Sequence, residues 1–185
     1  MNTQSTPETP NNKVLAVVNL VDNGIVAASI TVAIATLSVM FVSLLLEVII
    51  RYFSNQGLGW PTELPSILFP WLVAAGVVLA AQQGQHIAVA ALPSLLKTAN
   101  TRRLLLVLQV ITAVTFYYLA WIGLQVVEIT GAEVYPATGI SARWAYLALI
   151  VGFVGLGLTA TTTFVKLWFA PNPLSVREQP IEEAL

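Results

Sequence analysis

Four charge-free, predominantly apolar segments dominate the pattern of hydrophobic and polar positions along this chain. Each is 22 or 24 residues long, so each would form a helix of roughly 33–36 Å. The hydrocarbon core of a bilayer is about 30 Å thick, and the charged residues fall almost entirely between the segments. The pattern therefore predicts an all-α integral membrane protein with four transmembrane helices. The segments are residues 23–46, 64–85, 104–127 and 144–165.

The regions that flank these segments predict one membrane domain with two tails. Residues 13–170 would form the membrane domain, residues 1–12 a disordered cytoplasmic tail and residues 171–185 a flexible cytoplasmic tail. An ionised Asp at mid-bilayer costs about 2.5–3.5 kcal/mol, so we expect Asp22 at the cytoplasmic interface. Residues 14–21 would then lie along the membrane or extend the first helix inward.

The connection between the second and third spans is unusually apolar. Its leucines and alanines recur at helical spacing and are followed by basic residues, which is typical of a short interfacial segment lying on the inner leaflet. A simple hairpin connection is the alternative.

The distribution of basic residues predicts the orientation. Six of the eight Lys and Arg residues fall on the face shared by both termini. By the positive-inside rule, both termini then lie in the cytoplasm. The six are Lys13, Lys97, Arg102, Arg103, Lys166 and Arg177, and the two on the opposite face are Arg51 and Arg143.

Composition excludes several function classes. The chain is 57% hydrophobic and 9% charged, with no cysteine and one histidine. Thiolate chemistry is therefore excluded, and one chain cannot supply two histidines to a haem. No metal-ligand spacing, nucleophile–base set or basic cluster appears in the sequence, so we expect no cofactor, no nucleic-acid partner and no enzyme activity.

Small residues predict where helices pack closely, because lipid gives no hydrophobic drive for association. Gly76, Ala80 and Gly84 repeat every four residues in the second span, and the fourth span is also rich in small residues. We therefore expect the second and fourth spans to make the tightest contacts, with each other or with a partner. Pro70 predicts a kink in the second span.

A few polar groups at the span ends are candidates for function. Glu47 and Arg51 are four residues apart on one helix face, which favours an ion pair that Glu63 could join. A ligand site or a contact with a partner subunit is the functional alternative. His86 is interpreted as a structural interface residue rather than a proton relay, and Trp60 as part of the interfacial aromatic belt.

The order of motifs from residue 47 to residue 92 resembles a known family. EVIIRYF ends the first span, GWPTEL opens the second and GQHIAVAAL follows it, while TGISARWAYLALIVGFVGLGL resembles the start of the family's last span. The chain is similar to the small membrane subunit of tripartite ATP-independent periplasmic (TRAP) transporters, the DctQ-like family. It departs from the family's usual pattern at Ala90, where an acidic residue is common, and at Pro65 and Ser66, where a basic residue is common.

The resemblance implies a non-catalytic subunit of a three-part importer. In that family a periplasmic binding protein captures a solute, often a carboxylate such as a dicarboxylate or sialic acid, and a large multi-span subunit moves it with a sodium gradient. The small subunit would scaffold the large one in the bacterial inner membrane, and Arg51, Trp60 and Glu63 would shape the periplasmic end. The alternatives are a self-sufficient homo-oligomeric carrier and, less favoured, a four-helix quinone or haem protein.

Overall fold

The computed structural model describes residues 10–54, 57–83 and 98–169, and the side chains of residues 13–54, 57–83 and 102–169. Over this part of the chain the structure contains four helices, each long and apolar enough to cross a membrane, and no strand longer than an isolated bridge. This confirms the predicted all-helical, four-span fold. The helices are α1, Pro10–Ser54; α2, Trp60–Gln82; α3, Thr98–Thr130; and α4, Arg143–Phe169.

Two of the predictions fall wholly or mainly on other parts of the chain. The tails were expected over residues 1–12 and 171–185, and α1 already begins at Pro10; the rest of both tails lies outside the described residues. Gly84, His86 and most of the connection expected over residues 86–103 lie outside them as well, while residues 98–103 of that connection begin α3.

Helix α1 is much longer than its charge-free segment. Its 45 residues correspond to about 67 Å of helix, which is about twice the thickness of a bilayer's hydrocarbon core. Of the two arrangements expected for residues 14–21, the structure has the helical extension. Asp22 therefore lies within a continuous helix, where it is buried.

Helix α2 contains three prolines and is nevertheless a single element. Pro61 stands in the first turn, where its missing amide would have had no helical partner, and its side chain is fully buried. The helix continues through Pro65 and Pro70 to Gln82. Pro70, which was expected to kink the helix, therefore does not end it.

The helices form a row in the order α1, α2, α4 and α3, and α1 also contacts α4. The most extensive contact joins α3 to α4, followed by α1 with α2 and then α2 with α4. Among the described residues, α3 packs extensively only against α4. Val78, Ala81 and Leu156 form the centre of the packing, with Ile25 from α1 and Phe116 from α3 against it.

Glycines of α4, rather than of α2, permit the close approach between these two helices. A β-carbon at Gly152 would lie 3.0 Å from that of Ala74, and one at Gly155 would lie 2.9 Å from a methyl of Val78. The second and fourth spans therefore do meet closely, as expected. Within the described chain Gly76 does not make this contact, because it is exposed and faces open space, while Ala80 is only half-buried. Contact of this face with a partner stays a prediction. The expectation also missed that the third and fourth spans share the larger contact.

Candidate functional site

One end of the helix row carries a structured loop, residues 131–142, and we call it the loop end. Glu63, in the first turn of α2, holds this loop. Its Oε1 accepts the backbone N–H of Ala137 at 2.9 Å, and its Oε2 accepts the N–H of Thr138 at 2.8 Å and the Thr138 hydroxyl at 2.9 Å. One carboxylate thus fixes the loop between α3 and α4 to the start of α2, using charge-assisted hydrogen bonds.

The loop also holds its own shape through backbone bonds. The N–H of Tyr135 donates to the carbonyl of Ile140 at 2.9 Å, and the N–H of Gly139 donates to the carbonyl of Tyr135 at 2.8 Å. Gly139 has φ 69°, a left-handed conformation that glycine adopts without a steric penalty. The loop is therefore a compact turn, and Glu63 anchors a preformed shape.

Glu47 holds the connection between α1 and α2. Its residue surface is 8% exposed, and its Oε2 accepts the backbone N–H of Leu58 at 3.1 Å. A β-carbon at Gly57 would collide with the Glu47 carboxylate, so the glycine lets the chain pass close to the buried acid. Like Glu63, Glu47 is satisfied by a neighbouring backbone amide.

The expected ion pair between Glu47 and Arg51 is wrong for the side chains that the structure describes. The Arg51 side chain is exposed and lies within ion-pair distance of no described acid, since the ion pair found in this part of the chain joins Lys166 to Asp22. The physical reason is that Glu47 turns to the backbone of the connection, whereas the guanidinium stays in solvent, where its hydration is retained.

Partly exposed tryptophans border the loop end, and their place in an interfacial aromatic belt stays a prediction. Trp60 begins α2 and is 39% exposed, and Trp144 in the first turn of α4 is 57% exposed. The Trp71 indole N–H donates to the backbone carbonyl of Trp144 at 2.9 Å. The structure therefore brings Glu47, Trp60 and Glu63 to one end, with Arg51 on the last turn of α1.

A second polar cluster, which the sequence reasoning missed, lies at the opposite end of the row. The Lys166 amine is 2.6 Å from Asp22 Oδ2. The Gln82 amide donates to Asp22 Oδ1 at 3.2 Å and to the Thr159 hydroxyl at 2.9 Å. We call these four residues the Asp22 network; they join α1, α2 and α4. A signal did exist, because Asp22 and Lys166 flank the first and fourth charge-free segments on the same predicted side of the membrane.

The Asp22 network is built to join helices. Its acid is neutralised by a lysine, so the pair has no net charge to attract an ion.

Arg102 at the start of α3 also joins two helices, since its guanidinium donates to the last carbonyls of α4, those of Leu167 and Trp168, at 3.2 Å. Such donors satisfy the free carbonyls of a helix end.

The described residues offer no group of three or more His, Cys, Asp or Glu side chains that could hold a metal.

Threonine hydroxyls within the spans donate mostly to carbonyls of their own helices. These include Thr31, Thr36, Thr159, Thr161, Thr162 and Thr163. Fold and polar groups together define a small multi-span helical membrane protein whose polar side chains connect its own helices and loops.

Comparison with known proteins names the family. Residues 40–170 match the family described as tripartite ATP-independent periplasmic transporters, DctQ component. The chain belongs to this family. It is thus the small permease subunit of a TRAP transporter, a multi-pass membrane component of a transport system and not an enzyme, and the family in general works in a complex with a large membrane subunit and a binding protein.

Relatives named as TRAP transporter small permease proteins agree with this family assignment. A Haemophilus influenzae protein named as a TRAP transporter small permease is 25% identical over 134 residues, which cover 72% of this chain and 81% of that protein. The ectoine TRAP transporter small permease protein TeaB of Halomonas elongata is 25% identical over 65% of this chain and 63% of its own length. An uncharacterized protein of Sinorhizobium fredii is 30% identical over 63% of this chain, a segment that makes up 22% of that protein.

The family match includes the loop end and only part of the Asp22 network. Glu47, Arg51 and Glu63 lie within residues 40–170, as do Gln82, Thr159 and Lys166, whereas Asp22 lies in the first half of α1, before the match begins. The Asp22 network therefore links the family's matched region to a segment that precedes it.

Proposed function

We propose that this chain scaffolds the large subunit of a sodium-gradient-driven TRAP importer in the bacterial inner membrane. Its loop end faces the periplasm and helps form the surface on which the binding protein docks, and both termini lie in the cytoplasm. The solute is of the carboxylate type. The sodium coupling and solute class rest on the family resemblance, and the orientation rests on the excess of basic residues on the terminal side.

The observation that carries the proposal is the double anchoring of the loop end. Glu63 fixes the loop between α3 and α4 through three hydrogen bonds, and Glu47 fixes the connection between α1 and α2. Both carboxylates thus accept hydrogen bonds from backbone amides. A surface held in this way is preorganised for a partner protein, because little loop entropy is lost on docking.

The interior of the described helices supports a scaffold rather than a carrier. A transport site lies near the bilayer midplane, commonly where helices are broken, whereas α1, α2 and α4 are continuous through their apolar segments. The buried acid of the Asp22 network already has Lys166 as its counter-charge. This acid therefore gives no support to the alternative of a self-sufficient homo-oligomeric carrier.

Uptake in proteoliposomes tests the proposal. The chain is reconstituted alone, or together with the large subunit and binding protein, and accumulation of a labelled dicarboxylate or sialic acid is followed with and without an inward sodium gradient. We expect uptake only with all three proteins and the gradient. Ion-coupled uptake by this chain alone would overturn the scaffold function, and full uptake by the other two proteins without it would do so as well.

Docking is tested separately with Glu63→Ala. The variant should retain the large subunit and reduce uptake at low binding-protein concentration, because the loop loses its anchor to α2. Glu128→Ala, which alters an exposed acid at the same end, is the control and should leave uptake unchanged. Equal uptake by the two variants would place the docking surface elsewhere.

A further inference from the structure

The outward face of α3 carries two aromatic side chains with polar tips at membrane depth. Tyr118 is 63% exposed and Trp121 is 66% exposed. They lie three residues apart, so they share one face of the helix. Tyr118 is the fifteenth residue of the 24-residue segment 104–127, which places its Cα about 4 Å from the segment's centre.

These polar tips cannot easily reach water. Side chains on a helix lean towards its N-terminus, and Tyr118 and Trp121 lie on the C-terminal side of the centre. The lean therefore carries the hydroxyl and the indole N–H towards the middle of the membrane, away from the nearer interface. This geometry differs from an interfacial aromatic belt, in which the polar tip reaches the headgroups.

The hydroxyl and the indole N–H have no hydrogen-bond partner among the side chains and backbone that the structure describes. The neighbouring Tyr117 differs, because its hydroxyl lies 3.3 Å from that of Thr161 on α4. An exposed Ser or Thr can rotate to bond a carbonyl of its own helix, whereas a tyrosine hydroxyl stands too far from that backbone. In hydrocarbon the Tyr118 hydroxyl and the Trp121 N–H would stay unsatisfied, which is costly.

We propose that the face of α3 carrying Tyr118 and Trp121 packs against a transmembrane helix of the large subunit, which supplies hydrogen-bond acceptors near the bilayer centre. The inference rests on the proposed function and adds the contact surface to it. The same face continues towards the loop end, where Ile129 in the last turn of α3 is 79% exposed. One partner can thus cover the helix face and reach the loop end that we assign to docking.

A second copy of this chain fits the face less well. Close pairing of identical membrane helices needs small residues at the contact. Thr115 is the one small residue exposed among the described side chains of α3, whereas the alanine and glycine nearest to Tyr118 and Trp121 face the other side of the helix. Ala120 is buried, and a β-carbon at Gly123 would lie 3.1 Å from Ile150 of α4. The outward face instead presents large side chains with hydrogen-bond donors, which suits a different helix with complementary acceptors.

Site-specific photocrosslinking in the assembled complex tests the inference. The variants are Tyr118→p-benzoylphenylalanine and, as a matched control on α1, Ile34→p-benzoylphenylalanine; Ile34 is 62% exposed and lies at the centre of its own segment. We expect position 118 to crosslink to the large subunit and position 34 not to. The inference would be overturned by a crosslink to the large subunit from position 34 alone, or by only lipid adducts or adducts between copies of this chain from position 118. In either case, co-purification of the large subunit would still uphold the proposed function. Absence of co-purification with the unmodified chain would overturn both.

A conservative pair of variants isolates the hydroxyl itself. Tyr118→Phe should weaken association with the large subunit about threefold, as expected for one interhelical hydrogen bond in a membrane. Tyr117→Phe removes a bond within the chain, so it should leave association unchanged and lower only the thermal stability of the isolated chain. Equal effects of the two variants on association would contradict the assignment.

Discussion

Removal of one member of the Asp22–Lys166 pair should destabilise the chain strongly, and removal of both should not. The Lys166 amine lies 2.6 Å from Asp22 Oδ2. At an effective dielectric constant of about 20, unit charges at that distance attract by about 6 kcal/mol. Desolvation costs several kcal/mol for each buried ion. The intact pair is therefore nearly neutral for stability, while a broken pair is not.

The two single variants should differ because the two side chains differ in exposure. The Asp22 side chain is 8% exposed and that of Lys166 is 21% exposed. Lys166→Met leaves a buried carboxylate without this counter-charge and should cost about 3–5 kcal/mol. Asp22→Asn leaves an amine that can move towards water along its flexible stem, so it should cost less than about 2 kcal/mol.

Reversible unfolding in mixed detergent micelles, followed by the fluorescence of the five tryptophans, measures these effects. The double variant Asp22→Asn/Lys166→Met should lie within about 1 kcal/mol of the unmodified chain. Arg103→Met, which alters an exposed basic residue at the same end, is the control and should change stability by at most about 0.5 kcal/mol. Additive single effects, or a Lys166→Met cost under about 1 kcal/mol, would refute the assignment of a buried, coupled pair.

Three further variants test the loop end and the helix packing. Glu63→Ala should make the amides of residues 131–142 exchange with deuterium severalfold faster, whereas Glu128→Ala should leave exchange unchanged; equal rates would show that Glu63 does not anchor the loop. Gly155→Leu should destabilise the chain by about 1–3 kcal/mol through overpacking against α2, while Gly76→Leu, in open space, should not, and thermal unfolding separates them. Arg51→Ala should leave stability unchanged, because the side chain is exposed, and should impair assembly or uptake; normal complex recovery and uptake would show it to be dispensable.

The fold was predictable because the membrane imposes simple rules on sequence. Helices must satisfy every backbone group internally, so the charge-free segments located the four spans directly. The length of α1 was harder to predict, since Asp22 interrupts its apolar pattern. That interruption is tolerated because Lys166 and Gln82 meet the acid in the folded chain, a contact made between residues far apart in sequence.

The candidate site was predicted only in part. Glu47 and Glu63 were identified because charged residues are few in this chain and these two border charge-free segments. Their actual partners are backbone amides of Leu58, Ala137 and Thr138. Backbone partners carry no sequence signal, so an ion pair with Arg51 was the natural and mistaken expectation. The small-residue repeat at Gly76 likewise identified a helix face without showing what covers it.

The most direct test of the central claim is recovery of the tagged chain from its native membranes in mild detergent, with the accompanying proteins identified and quantified by mass spectrometry. The account predicts a large multi-span membrane protein in a fixed ratio with this chain. Recovery of the chain alone, or only with copies of itself, from membranes in which the large subunit is present and soluble in the same detergent would contradict it.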